Sequence, residues 1–104
     1  MSEGRVPVSF EKLTISTSAV MLTSSLLHPT PGQSGAGNAA CLAFMTVEGG
    51  SIRFRVDGGS PTTADGHLVL DGGSVEIETI QALEKFKAIR AANKNATLFV
   101  TYFF

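Results

Sequence analysis

The chain has 104 residues, 43% of them hydrophobic, with eight Lys and Arg against nine Asp and Glu. A chain of this size closes one hydrophobic core, a single domain over 1–104, which excludes the large two-lobed enzyme architectures. A near-neutral balance with no basic block leaves no electrostatic footprint for nucleic acid, and the Gly and Pro residues are interleaved with apolar runs as in a turn-rich globular chain.

The first residues, Met1-Ser2-Glu3-Gly4-Arg5, lack the cationic and apolar regions of a signal peptide, and no apolar run approaches the roughly 18 residues of a membrane span. They are read as an N-terminal arm, about 1–7, on a protein made in a cytosol-like compartment with no membrane partner. Val8 to Ser16 is rich in β-formers and sets Leu13 and Ile15 on one face, which predicts a strand. Ala19 to Thr23 is expected to be a second strand, paired with the first through the Ser16-Thr17-Ser18 turn. From 24 to 38 the chain holds two prolines and three glycines, with the run Pro29-Thr30-Pro31-Gly32, which predicts a long surface loop.

Ala39 to Glu48 is apolar on both faces, with Cys41, Ala43, Met45 and Val47 on one and Leu42 and Phe44 on the other, as expected of a central strand ended by Gly49-Gly50. Ile52 to Asp57 and Ser74 to Thr79 alternate regularly and read as half-buried strands. Their outer faces are complementary, Arg53 and Arg55 against Glu76 and Glu78, which predicts that the two are cross-strand neighbours. Between them lie a loop over 58–66, a short strand over 67–70 and a tight turn at Asp71-Gly72-Gly73. Gln81 to Lys85 predicts one helical turn, followed by strands at Phe86 to Arg90 and Ala96 to Phe103. Seven to nine short strands without a crossover helix predict an all-β fold, an antiparallel β-sandwich or jelly roll.

Catalytic signals are sparse. Asp57, Asp65, His67 and Asp71 fall within fifteen residues, but their spacing matches no metal loop, and each Asp precedes a glycine where turn geometry favours it. His28 and His67 are isolated and read as solvated or hydrogen-bonded side chains. The stretch Gly32-Gln33-Ser34-Gly35-Ala36-Gly37 lacks the Lys and helix of a phosphate loop, and no serine has a nucleophile-elbow context. The single cysteine, Cys41, lies in an apolar run and reads as a buried thiol. The expectation is a non-enzymatic protein with no catalytic residues, cofactor or metal.

The C-terminal strand is more informative. Leu98, Val100 and Tyr102 share one face, Phe99 and Phe103 the other, and Phe104 closes the chain. A small sandwich buries one face of each sheet, so aromatics on both faces predict either contact with another subunit or a central strand lying under the long loop or the arm.

The segment Ile52-Arg53-Phe54-Arg55-Val56-Asp57-Gly58-Gly59-Ser60-Pro61-Thr62-Thr63-Ala64-Asp65-Gly66-His67-Leu68 resembles small structural proteins of tailed bacteriophages and prophages. In them an alternating strand ends in an Asp-Gly-x-x-Pro-Thr turn followed by Gly-His. Val75-Glu76-Ile77, Phe86-Lys87-Ala88-Ile89-Arg90 and Thr97 to Tyr102 are similar to their later strands, so the likeness spans about 40–104. It implies a virion protein assembled from the host cytoplasm, of the capsid decoration or cement type. The implied partners are copies of itself, with a trimer by analogy, and the major capsid protein or another virion protein. The long loop and the arm have no counterpart in the likeness and are where partner specificity is expected. Candidate interface residues are therefore Phe99, Phe103 and Phe104 with Pro29, Pro31 and Gln33. Two alternatives stand beside this, a tail or fibre component and a carbohydrate-binding, adhesin-like sandwich; a cupin-like enzyme would need clustered ligands that two isolated histidines do not supply.

Overall fold

In the last strand, β8 (Ala96–Phe103), burial alternates residue by residue: Ala96, Leu98, Val100 and Tyr102 are sealed, and Thr97, Phe99, Thr101 and Phe103 are half-buried. A strand with that pattern is stable when paired on both edges with one face on a core. The computed structural model, which describes residues 6–28 and 38–104, gives it both. β8 lies between β1 (Pro7–Ile15) and β3 (Leu42–Glu48), antiparallel to each. The sheet ends at β6 (Ser74–Glu78), giving the order β1-β8-β3-β6. The second sheet runs β2-β7-β4-β5, from β2 (Val20–Met21), β7 (Lys87–Arg90), β4 (Ile52–Arg55) and β5 (His67–Val69).

This is the jelly-roll order. β1 pairs with β8, β2 with β7, β3 with β6 and β4 with β5, as if one long hairpin turning between β4 and β5 were rolled into two sheets. The first sheet sends Ile15, Met45, Val47, Leu98, Val100 and Tyr102 inward, and the second sends Ile52, Phe54, Val69 and Ala88. Each fully buried aliphatic of this kind contributes about 1.5–3 kcal/mol before entropy is counted. Phe54 stacks on Phe86, with ring centroids 5.5 Å apart. Leu27 of the one-turn helix α1 (Ser24–Leu27) and Leu83 of α2 (Ile80–Lys85) also belong to the core.

Three expectations are corrected. The strand expected over Ala19 to Thr23 is only Val20–Met21, and it pairs with β7 in the other sheet. The 16–19 turn carries the chain from one sheet to the next, because β1 already takes β8 as partner. The loop expected over 24–38 begins instead with α1, which buries Leu27 and sets His28 Nε2 2.5 Å from Glu84 Oε2 on α2. Burial of Leu22 and Leu27 offsets the weak helix propensity of four residues.

The third correction concerns the charged stripes. β4 and β6 belong to different sheets, so Arg53 and Arg55 are not cross-strand neighbours of Glu76 and Glu78. Opposite charge on two local segments does not outweigh a core that needs β6 beside β3, where Ile77 pairs with Ala43 and Val75 with Met45.

Candidate protein interface

The two outer faces of the sandwich differ in what covers them. On the second sheet Arg53 and Arg55 project outward from β4 and hold the 57–66 loop. Arg53 Nε donates to Thr63 O and Nη1 to Gly66 O, each at 2.9 Å. Arg55 forks onto Asp57, Nε to Oδ1 at 3.0 Å and Nη2 to Oδ2 at 2.6 Å, while Gly59 N also donates to Oδ1. These donors stabilise the carboxylate, the Arg55 hydrogen bonds most and the Gly59 amide next, and lower the Asp57 pKa to about 2. The Thr62 hydroxyl accepts from Ala64 N and Asp65 N, and Pro61 is buried beneath. Gly66 sits at φ +129, where a Cβ would lie 3.1 Å from Phe54 O and 3.2 Å from Pro61 Cβ. The motif singled out in the sequence is thus a self-bonded cover over the sandwich's own surface.

The outer face of the first sheet is different. The register sets Phe10 and Phe44 on either side of Thr101, and Lys12 and Thr46 on either side of Phe99. Leu42 and Phe103 are paired further along the same face. Phe10 is 60% exposed and Phe44 39%. The Phe10 ring stacks on Phe99 with centroids 6.2 Å apart and planes at 22°. Among the described residues, this face combines four phenylalanines with the hydroxyls of Thr46, Thr97 and Thr101, with charges at its margins: Lys12 on β1, Glu48 at the end of β3, and Glu76 and Glu78 on β6. Aromatic bodies, few charges and a polar rim are the composition of a protein-binding patch.

Of the residues picked from the sequence, Phe99 and Phe103 lie on this face. Phe104 instead packs against the core, its N–H and C=O paired with those of Val6. Pro29, Pro31 and Gln33 lie outside the described residues, as does most of the N-terminal arm. Phe10 and Phe44 were missed as interface residues, although alternation signals both: each is out of phase with the buried set of its strand, Ile15 in β1 and Ala43, Met45 and Val47 in β3.

The acidic and histidine positions do not converge. Asp57 is held by Arg55, Asp71 Oδ1 accepts from Gly49 N at 3.1 Å, and His67 lies against the Phe54 ring. Among the described residues no three His, Cys, Asp or Glu side chains come together. Cys41 is half-buried rather than buried.

Glu11 pairs with Val100 and so lies on the core side of β1. It accepts from Tyr102 Oη, from Thr23 Oγ1 at 2.6 Å and from Thr23 N at 3.2 Å. Burial, with the carboxylate beside it, pushes the Tyr102 phenol far above its ordinary pKa, so it stays a proton donor. Glu11 thereby ties β1, β8 and the start of α1 together behind the aromatic face.

Searches of family models, of curated proteins and of solved structures return no match to this chain.

Proposed function

We propose that this protein is a non-enzymatic building block of an assembly: a phage virion component of the capsid decoration or cement type that binds another virion protein through the aromatic outer face of the first sheet. The observation that carries the reading is the Phe10–Phe99 stack in the open, with Phe44 across Thr101. Large aromatics on a sheet face that the described residues leave accessible are available for binding. On the opposite sheet Arg53 and Arg55 hold the 57–66 loop, so the two outer faces of the module differ.

The jelly roll by itself does not choose a role, since capsid proteins, lectins and cupins share it. The likeness of residues 52–68 to phage structural proteins supplies the virion context. A sugar-binding reading has less support, because the exposed aromatics are phenylalanines that carry no hydrogen-bonding group.

Cosedimentation with assembled phage capsids tests the proposal. The wild-type chain is expected to pellet with capsids, and the double variant Phe10→Ser, Phe44→Ser to remain folded but stay in the supernatant. Equal binding by both chains, or no binding to capsids with retention on tail structures, would remove the decoration reading.

A further inference from the structure

Among the described residues, the side of the sandwich bounded by β5 and β6 is open. Among the described residues neither strand has a partner on its outer edge, since each ends its sheet. Between them runs a groove of about 600 Å3 lined by Phe54, Val69, Leu70, Val75 and Ile77. Leu68 and Leu70 at its lip are 48% and 64% exposed. Two unpaired strand edges beside an apolar trough form a surface that pairs readily with another strand.

The geometry points to a second copy of this chain as the occupant, joined edge to edge through this seam. The chain reverses at Leu70–Gly73, where Gly73 N donates to Leu70 O at 2.7 Å, so β5 and β6 run antiparallel on the two sheets. A two-fold axis parallel to the strands therefore sets β6 of one copy antiparallel beside β5 of the other. The same operation repeats the pairing on the opposite sheet. Both edges of both copies are used, both grooves close, and the contact is isologous and finite.

Charge selects this arrangement over its competitor. A two-fold axis perpendicular to the sheets would pair β6 with β6 and bring Glu76 close to its own symmetry mate, a like-charge contact that destabilises a sheet. Pairing β6 with β5 sets Glu76 beside Leu68 of the second copy instead. Arg53 is the cross-strand neighbour of Leu68, so that copy's Arg53 lies only one strand further on, at about 10 Å for two strand spacings. The acidic and basic stripes that one copy keeps on separate sheets thus come onto one continuous face. This contact is independent of the aromatic face proposed for the virion partner.

Disulfide trapping tests the register. In a Cys41→Ala background, Leu68→Cys and Glu76→Cys chains are oxidised separately and as an equimolar mixture. The mixture is expected to form a covalent dimer carrying one residue of each kind, and neither chain alone to do so comparably. In parallel, light scattering over a concentration series is expected to show a dimer that Leu70→Asp weakens about tenfold or more, whereas Phe10→Ser leaves it intact. A strictly monomeric wild-type chain, cross-linking of Glu76→Cys with itself as well as in the mixture, or loss of the dimer in Phe10→Ser but not in Leu70→Asp would each overturn the inference.

Discussion

Tyr102, sealed in the core on β8, donates its phenolic proton to the carboxylate of Glu11 on the neighbouring strand β1. The same carboxylate receives the hydroxyl and amide of Thr23, so one side chain serves three donors. Tyr102→Phe keeps the ring and removes one donor to a charged acceptor, and is expected to lower unfolding free energy by about 1–2 kcal/mol. Glu11→Ala should cost more, because it leaves both the phenol and Thr23 without their acceptor. Urea denaturation of the two single variants and the double variant measures the coupling; additive losses would show that the bond contributes nothing of its own.

The Asp57 carboxyl titrates lower in the folded chain, at about 2, than in an unfolded one, near 4. Its pairing with Arg55 therefore favours the folded state above pH 4, and that contribution disappears as the pH falls towards 2. Thermal midpoints of wild type and Asp57→Asn are expected to differ most above pH 4 and to converge on acidification. A gap that stays constant from pH 5 to pH 2 would refute it.

Thr79 caps α2 from a backbone conformation that β-branched residues avoid, φ 76 and ψ 139, with its hydroxyl accepting from Ala82 N at 3.3 Å. Relief of strain and loss of the cap therefore oppose each other. Strain at such a position is worth about 1–3 kcal/mol, and a Thr-to-Gly change at a cap costs only a few tenths. Thr79→Gly is expected to stabilise the protein by about 1 kcal/mol, and Thr79→Ala, which keeps the strain and loses the cap, to destabilise it by about 1 kcal/mol. Chemical denaturation gives the order directly.

Gly66→Ala meets both a strained φ and the carbonyl of Phe54, and is expected to cost about 1–3 kcal/mol and to free the 57–66 loop from the second sheet. Gly58→Ala, at φ +91 with open space around it, should cost less. Limited proteolysis within 58–66 distinguishes the two; equal cleavage of both variants would mean that Gly66 does not hold the cover down.

Alternation alone located β1, β3, β4, β6 and β8 and divided β8 into its two faces, because a period of two is a local property of the chain. The turn after Asp57, the turn at Asp71-Gly72-Gly73 and the turn of helix before β7 were legible because they too are local. Pairing was not. Sequence proximity suggested β1 with β2, and charge suggested β4 with β6, but the jelly roll pairs β1 with β8 and β3 with β6, segments whose only common requirement is a shared core. Only that pairing set Phe10 against Phe99 and Phe44 across Thr101, which turned three separate strands into one aromatic face, and only it left β5 and β6 as open edges. The sequence by itself determined how the side chains of each strand divide between its two faces, since that depends on neighbours two residues away. The tertiary structure decided which surfaces remain for a partner, since that depends on contacts up to 98 residues apart, as between Val6 and Phe104.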